Sequence, residues 1–175
     1  MRKVILYVAS SLDNYIARPD GNIDWLLMEQ DYGFNDFYKE VDCILMGRKT
    51  WDKVQSFEGD FPYKGKECFV FSSNKEQGKN ENVKFINSDI KAFISWLKTQ
   101  PGDDVWLVGG GELAGYLFSE NLIDEVIIAL HPIILGEGIP LFTGFKNQHE
   151  LVLYDSKVYS NSLVHLFYGV IPEDL

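Results

Sequence analysis

Three consecutive glycines stand between an apolar run and an amphipathic segment in the stretch "VWLVGGGELAGYLF", residues 105–118. A strand that enters a helix through glycines leaves backbone N–H groups free at the positive end of the helix dipole, where a phosphate can bind. Gly109, Gly110 and Gly111 also lack a Cβ atom, so a pyrophosphate could lie against their backbone. The alternative is a tight strand–helix turn without a ligand, and the glycines alone do not decide between the two.

The spacing Gly109-x-Gly111-x-x-Ala114 also matches part of the dinucleotide-binding fingerprint of a Rossmann fold. That fingerprint requires an acidic residue about 20 positions further on, at the end of the next strand, to bind the ribose. The corresponding place in this chain is "ALH" at 129–131, which carries no acid. We therefore do not predict a Rossmann fold.

A second predicted strand ends in glycine and leads into a helix in "ILMGRKTWDKV", residues 44–54. Gly47 is followed by Arg48, Lys49 and Thr50 in the first helical turn. Arginine can clamp phosphate oxygens and threonine can donate its hydroxyl. Because basic side chains at a helix start oppose the helix dipole, their presence there indicates a bound anion.

A third predicted strand ends in short hydrogen-bond donors, in "VFSSN" at residues 70–74. Ser72, Ser73 and Asn74 would lie at the carboxyl edge of a parallel sheet, where open α/β sheets bind their ligands. Taken together, the three strand ends predict one edge that is able to hold a long phosphorylated nucleotide.

The elements that must position these residues alternate between strand and helix. Strands are predicted at 3–9, 42–47, 66–73, 83–86, 103–109 and 122–135, helices at 34–41, 49–56, 88–98 and 112–120, and an antiparallel pair at 150–159 and 162–171. Ser88 is predicted to cap the third helix beside Asp89, and Asn121 to end the fourth in a left-handed conformation. We expect a three-layer α/β/α sandwich whose mixed, mostly parallel sheet ends in an antiparallel C-terminal hairpin, all in a single domain spanning 1–175.

Charge and composition argue against several classes of function. The formal net charge of −10 makes the chain a poor binder of nucleic acid or anionic membrane. No run approaches the roughly 18 apolar residues of a membrane span, and the apolar N-terminus is interpreted as a strand, so we expect a cytoplasmic protein. Cys43 and Cys68 lie in apolar runs as buried thiols, and the three histidines are too far apart in sequence to predict a metal site.

Five pieces occur in one order over about residues 4–142: "SLDNYIARPDGNIDWL", "ILMGRKTW", "VFSS", "VWLVGGGELAGYLFSENLIDEV" and "HPIILGEGIPLF". They resemble the dihydrofolate reductase superfamily, and within it the bacterial branch similar to the reductase (C-terminal) domain of the riboflavin-biosynthesis deaminase–reductase. The zinc deaminase signature HxE…PCxxC is missing from the sequence, so the chain is not the bifunctional enzyme.

This resemblance implies an NADPH-dependent reductase of a small pteridine- or pyrimidine-type heterocycle, such as dihydrofolate or 5-amino-6-(5-phosphoribosylamino)uracil. The cofactor would supply the hydride, and the protein would supply orientation, a dry cavity and a route for the proton. The residues implied for the cofactor are Gly47, Arg48, Lys49 and Thr50 at its phosphates, Ser72, Ser73 and Asn74 near the adenosine ribose and its extra phosphate, and Val108, Gly109, Gly110, Gly111, Glu112 and Leu113 at the pyrophosphate.

For the substrate, the resemblance implies that the loop from Leu12 to Trp25 borders the nicotinamide, with Ala9, Ile16 and Trp25 nearby. An acidic residue on the first helix contacts the pterin in dihydrofolate reductases. A gapless count back from "MGR" assigns this role to Asp31, with Asp36 and Asp24 as alternatives.

Two further questions stay open from the sequence. A non-catalytic nucleotide-binding module on the same scaffold is the alternative to a reductase. The apolar C-terminal hairpin favours a homodimer.

Overall fold

The computed structural model describes residues 1–73, 80–144 and 147–172. The strands are β1 (Val4–Ser10), β2 (Tyr15–Ala17), β3 (Val41–Gly47), β4 (Glu67–Phe71), β5 (Lys84–Ile86), β6 (Asp104–Gly109), β7 (Glu125–Leu130), β8 (Ile139–Pro140), β9 (Leu151–Val158) and β10 (Val164–Val170). The helices are α1 (Phe34–Lys39), α2 (Arg48–Gln55), α3 (Ile90–Thr99) and α4 (Gly111–Ser119).

Eight of the strands form one sheet in the order β5-β4-β3-β6-β1-β7-β10-β9. The six from β5 to β7 run parallel, and β10 pairs antiparallel with both β7 and β9. This arrangement confirms the predicted mixed, mostly parallel sheet with a C-terminal hairpin. The short antiparallel ribbon of β2 and β8 was not predicted, because three-residue and two-residue strands in turn-rich sequence carry no periodicity.

The sheet is covered on both faces, as a three-layer sandwich requires. Successive strand residues point to opposite faces, so Leu45 of β3 packs with α3 and α4 while Ile44 packs with α1 and α2. Leu117 of α4 is buried in the first cluster, and Trp51 of α2 in the second. Strands buried on both faces have near-continuous apolar runs, which explains sequences such as "VILYVA" and "CILM".

Two of the differences from the predicted boundaries have a clear local cause. The seventh strand is shorter than the predicted 122–135, because Leu122 closes the end of α4 with a bond from its N–H to the Leu117 carbonyl. The cap of α3 is Asp89 and not Ser88, since the Asp89 carboxylate accepts a hydrogen bond from the Ala92 N–H at 3.0 Å. The left-handed conformation predicted for Asn121 is confirmed, with φ of 53°.

Candidate functional site

The crevice of this sheet lies between β3 and β6, which are neighbours. Strand β3 leads into α2 on one face, and β6 leads into α4 on the opposite face. Chains that leave neighbouring parallel strands toward opposite faces open a crevice at the carboxyl ends, and ligands of open α/β sheets bind there. The two glycine-containing turns predicted to bind phosphate therefore meet at this crevice.

Close contact between the two turns depends on glycine. A Cβ on Gly110 would lie 3.4 Å from Thr50 Oγ1 and 3.7 Å from the Cα of Gly47. The φ angles of Gly109 and Gly110 are 141° and 99°, values that side chains rarely allow. A Cβ on Gly111 would instead approach the Pro140 carbonyl oxygen at 3.1 Å, so this third glycine provides packing against β8.

Both helices that begin at this crevice have a glycine at the N-cap position. Gly47 occupies this position in α2 and Gly110 in α4, and within residues 1–73, 80–144 and 147–172 no side-chain hydrogen bond is found at either cap. The first N–H groups of a helix need an outside acceptor. Two adjacent helix starts with uncapped N–H groups form a site that is suited to the phosphates of one ligand.

The charged residues at these helix starts form exposed ion pairs. Lys49 Nζ lies 2.8 Å from Glu112 Oε1, and this pair joins the first turn of α2 to that of α4. Arg48 Nε lies 2.8 Å from Asp52 Oδ1, and the Arg48 guanidinium sits 5.8 Å from the centre of the Phe85 ring. Exposed pairs contribute little free energy, so a ligand phosphate can replace either carboxylate partner.

The remaining residues predicted for the cofactor lie beside these turns. Phe71 pairs in register with Gly47, which brings Ser72 and Ser73 next to α2, and Asn74 lies outside the described residues. Val108 is half-buried against the cluster under α1 and α2, while Leu113 is buried in the opposite cluster. Their side chains belong to the core, so each has only backbone groups to offer a ligand. We call Gly47, Gly109 to Gly111 and the first turns of α2 and α4 the glycine half of the edge.

The residues predicted for the substrate lie further along the same edge. Ala9 on β1 pairs with Ala129 on β7. The Trp25 ring meets the His131 ring edge-on, with centroids 5.2 Å apart. Ile16 in β2 packs instead against the cluster on the α3 and α4 face. The structure therefore brings Ala9 and Trp25 to the end of β1, with Ile16 on the other side of it.

A group of buried and half-buried rings, most of which the sequence did not single out, lies next to this end of β1. His165 lies opposite Ala129 on β10, and its ring centroid is 5.8 Å from Tyr7 and 5.3 Å from Tyr159. Together these residues form the ring half of the edge: Tyr7, Trp25, Tyr32, His131, Tyr159 and His165. The group was not predicted, because its members lie far apart in the sequence. A histidine in each of two apolar segments, "IIALH" and "SLVHLF", could have indicated buried imidazole rings.

Burial changes the protonation chemistry of the ring half. Desolvation lowers the pKa of His165 to about 4 and also lowers the pKa of His131. The hydrogen bond from the Tyr32 hydroxyl to Glu29 Oε2, at 2.6 Å, lowers the pKa of Glu29. The charges of Glu29 and His131 also shift each other's pKa, so the two side chains are near neighbours.

Asp31, predicted as the acid, is exposed at the start of α1. Its carboxylate accepts hydrogen bonds from the backbone N–H groups of Gly33 at 3.0 Å and Asn35 at 2.9 Å. These bonds give Asp31 a capping role in the structure. Of the two alternatives, Asp36 is paired with Lys39 and Asp24 with Arg18, and both acids are exposed.

Neither a metal centre nor a membrane-spanning helix is found among the described residues. Within residues 1–73, 80–144 and 147–172, no set of three His, Cys, Asp or Glu side chains is placed to hold a metal ion. Over the same ranges, no helix has the length and apolar character needed to cross a membrane. Both cysteines are buried and unpaired.

Comparison with known proteins shows one family over almost the whole chain. The profile of the RibD C-terminal domain family matches residues 2–165. An uncharacterised Bacillus subtilis (strain 168) protein, YwjB, is 42% identical over 93% of this chain and 95% of its own length. A 5-amino-6-(5-phosphoribosylamino)uracil reductase of Buchnera aphidicola is 26% identical over 78% of this chain and 64% of its own length.

Solved structures give the same result. A provisionally named riboflavin biosynthesis protein of Shewanella sp. PV-4 has a TM-score of 0.86 and 32% identity, covering 97% of this chain and 99% of its own. The deaminase/5-amino-6-(5-phosphoribosylamino)uracil reductase of Thermotoga maritima has a TM-score of 0.75 at 18% identity, covering 97% of this chain and 57% of its own. At that identity the second likeness concerns the fold alone, and it confirms the expected reductase-domain architecture.

Proposed function

This chain belongs to the RibD C-terminal domain family, and on that premise we propose that it is an NADPH-dependent reductase of a small pyrimidine- or pteridine-type heterocycle. One observation carries the proposal: two uncapped helix starts meet at Gly47 and Gly110 in the crevice of the sheet. This arrangement suits the pyrophosphate of a dinucleotide, because two sets of backbone N–H groups converge without side chains between them.

The residues of the glycine half fit such a cofactor. Backbone N–H groups from Gly110 to Leu113 would hold the pyrophosphate, and Thr50 Oγ1 is close enough to Gly110 to join them. Arg48, on the β5 side of α2, would bind the extra phosphate together with Ser72, Ser73 and Asn74. When it is bound, NADPH supplies a hydride to the substrate.

The ring half would form the substrate side of the site. Ala9, Ile16 and Trp25 lie around the end of β1, and the buried rings of Trp25 and His131 would keep water away from the reacting atoms. Asp31 would contribute its charge at the entrance of the site. Burial is the main cause that raises the pKa values of Tyr7 and Tyr159, and the charge of the Asp31 carboxylate is a further cause. We keep Asp31 as the proposed acid on this proximity.

A second copy of the chain would complete the assembly. Strand β9 is the edge of the sheet, and all eight of its residues are exposed, including Val152, Tyr154 and Val158. An exposed apolar edge strand favours pairing with another chain, so we propose a homodimer through β9. Because Val158 is 76% exposed, Val158→Glu should leave the fold intact and convert the dimer to a monomer. Light scattering that finds the native chain monomeric at micromolar concentration rejects this assembly.

We also propose a cytoplasmic location, because buried, unpaired thiols are typical of proteins in a reducing compartment.

The proposed reaction is tested with purified protein in two stages. Calorimetry first measures NADPH binding with NADH as the comparison. The loss of reduced-nicotinamide absorbance is then followed with dihydrofolate and with 5-amino-6-(5-phosphoribosylamino)uracil. Binding of NADPH together with turnover of either compound supports the proposal. A protein that binds no NADPH contradicts it.

A non-catalytic nucleotide-binding module is the second candidate. It is favoured by one observation: Asp24, Asp31 and Asp36 are exposed and each already has a hydrogen-bond or ion-pair partner. NADPH binding without turnover of either substrate would support the module over the reductase.

A further inference from the structure

Two buried polar atoms in the ring half lack a partner. Trp25 is 8% exposed and His131 is 3% exposed. Within the described part of the chain, neither the indole Nε1 of Trp25 nor the Nε2 of His131 has a hydrogen-bond partner. The two rings meet edge-on with centroids 5.2 Å apart, so the two atoms lie in the same group of packed rings. A buried polar group without a partner costs about 1–3 kcal/mol, so two together call for an explanation.

The hydrogen-bonding roles of the two atoms follow from their neighbours. His131 Nδ1 lies 2.9 Å from the carbonyl oxygen of Ala129, which can only accept a hydrogen bond. Nδ1 must therefore carry the proton of the neutral ring, and Nε2 is left as an acceptor. Burial lowers the pKa of His131, which keeps the ring neutral. The indole Nε1 of Trp25 is a donor only. The site thus presents one donor and one acceptor.

The position of this pair coincides with the ligand edge of the sheet. The backbone N–H of His131 donates a hydrogen bond to the Ser10 carbonyl at 2.8 Å, so the histidine immediately follows the paired ends of β1 and β7. Nearby polar groups already have partners: the Tyr32 hydroxyl donates to Glu29, and the Tyr159 hydroxyl donates to the Tyr32 carbonyl at 2.7 Å. Trp25 Nε1 and His131 Nε2 differ from these groups because they have no hydrogen-bond partner among the described residues.

We propose that Trp25 and His131 bind the lactam edge of the substrate ring, with the Trp25 N–H donating to the ring carbonyl and the His131 Nε2 accepting from the adjacent ring N–H. This inference rests on the proposed function, and it assigns a substrate-recognition role to His131. A lactam carries an acceptor and a donor on neighbouring atoms, which matches the two unpartnered groups one to one. A site built on such hydrogen bonds discriminates strongly against analogues that lack them.

The test uses 5-amino-6-(5-phosphoribosylamino)uracil and its N3-methyl analogue, in which the ring N–H is replaced. Binding of each probe is measured by calorimetry without a cofactor, so turnover is not needed. In variants that keep Trp25, its indole N–H resonance, assigned by its loss in Trp25→Phe, reports the hydrogen bond itself. We expect the native protein to prefer the unmethylated probe by about tenfold. His131→Phe should abolish this preference, His131→Gln, which keeps an acceptor, should restore part of it, and Trp25→Phe should weaken both probes by about tenfold.

Trp106→Phe is the matched control, because the Trp106 indole N–H already donates to the Tyr7 carbonyl at 3.1 Å. This variant should lower thermal stability and leave probe preference unchanged. His131→Phe loses the bond from Nδ1 to the Ala129 carbonyl and should lower thermal stability whatever occupies the site, so the probe preference decides. If a structural water occupies the site instead, His131→Phe leaves the preference intact, which overturns the inference.

Measurement of NADPH affinity distinguishes a failure of this inference from a failure of the proposed function. His131→Phe and His131→Gln should bind NADPH within about twofold of the native protein, because the glycine half is unchanged. A native protein that binds NADPH but neither probe overturns the inference alone. A native protein that binds neither NADPH nor a probe overturns both.

Discussion

The glycine half and the ring half occupy one edge of the same sheet, but they are built from different chemistry. In the glycine half, backbone N–H groups and exposed pairs such as Lys49–Glu112 face solvent, and charge can be rearranged at little cost. In the ring half, buried aromatic and imidazole rings pack around Trp25 and His165, and each polar atom has a fixed partner or stands unpaired at high cost.

This difference separates affinity from specificity. Helix starts attract the phosphates of any suitable nucleotide, because the interaction depends on charge and backbone direction. A buried site with one donor and one acceptor discriminates between rings, because an unsuitable ring leaves those groups unpaired. We therefore expect variants of the glycine half to change cofactor affinity, and variants of the ring half to change stability and substrate choice.

The largest effect on stability and binding is expected at the β2–β8 ribbon, which supports both halves of the edge. A Cβ on Gly138 would overlap the Ala17 carbonyl oxygen of β2, and the same segment packs against Gly111 of α4. Gly138→Ala should destabilise the protein by about 3 kcal/mol and weaken both NADPH and substrate binding. Gly136→Ala, in the same turn with φ of 80° and open space around it, should cost only about 1 kcal/mol in urea unfolding. Equal costs for the two variants would show that the ribbon does not hold the halves together.

The next effect is a pH dependence that belongs to the ring half. The pKa of His165 is about 4 in the folded protein against an ordinary value of 6.5. The unfolded chain therefore takes up the proton first, and stability that is complete above pH 6.5 falls as pH drops toward 4. The loss attributable to His165 is about 2–3 kcal/mol. Unfolding titrations at several pH values should show this slope. His165→Phe should remove this part of the slope and leave the parts from His131 and from carboxyl groups such as Glu29. An unchanged slope in that variant would contradict the assignment.

A smaller effect isolates the glycine half. Gly110→Ala adds a Cβ 3.4 Å from Thr50 Oγ1 at a φ of 99°, which places a methyl group in the space between the two turns where the pyrophosphate would lie. NADPH affinity measured by calorimetry should fall about tenfold. Gly59→Ala supplies the control, since Gly59 has a similar φ of 109° with nothing within 4 Å of the added atom. The two variants should lose similar stability, and only Gly110→Ala should lose affinity. Unchanged NADPH affinity in Gly110→Ala would argue against a pyrophosphate at this turn.

The smallest effect tests the division of labour within the glycine half. Arg48→Ala should weaken NADPH by about threefold to tenfold and NADH by less than twofold, because the guanidinium lies on the side where the extra phosphate is expected. Lys49→Ala should weaken both cofactors about equally, since Lys49 bridges to Glu112 at the shared crevice. An equal loss of affinity for NADPH and NADH in Arg48→Ala would indicate that Arg48 binds the pyrophosphate instead.

The elements of the sheet were predictable because their signals are local. Runs such as "VDCILMG" and the stripe of Ile90, Ile94 and Leu97 reflect burial within a few residues of sequence, and the glycine turns adjoin the strands they end. A count along the sequence was enough to select Asp31 as the candidate acid, and its catalytic role stays a prediction. Its hydrogen bonds to the Gly33 and Asn35 N–H groups could not be predicted, because a cap depends on where α1 begins.

By itself, the amino-acid sequence determined the alternation of strands and helices and the glycine-rich strand ends, since hydrophobic period and backbone freedom act over short distances. Tertiary structure alone decided that β3 and β6 become neighbours that send their helices to opposite faces. It also decided that Trp25 meets His131 and that Tyr7 meets His165. The physical reason is that strand order and packing bring residues a hundred positions apart into contact, and burial then sets their protonation and hydrogen-bonding roles.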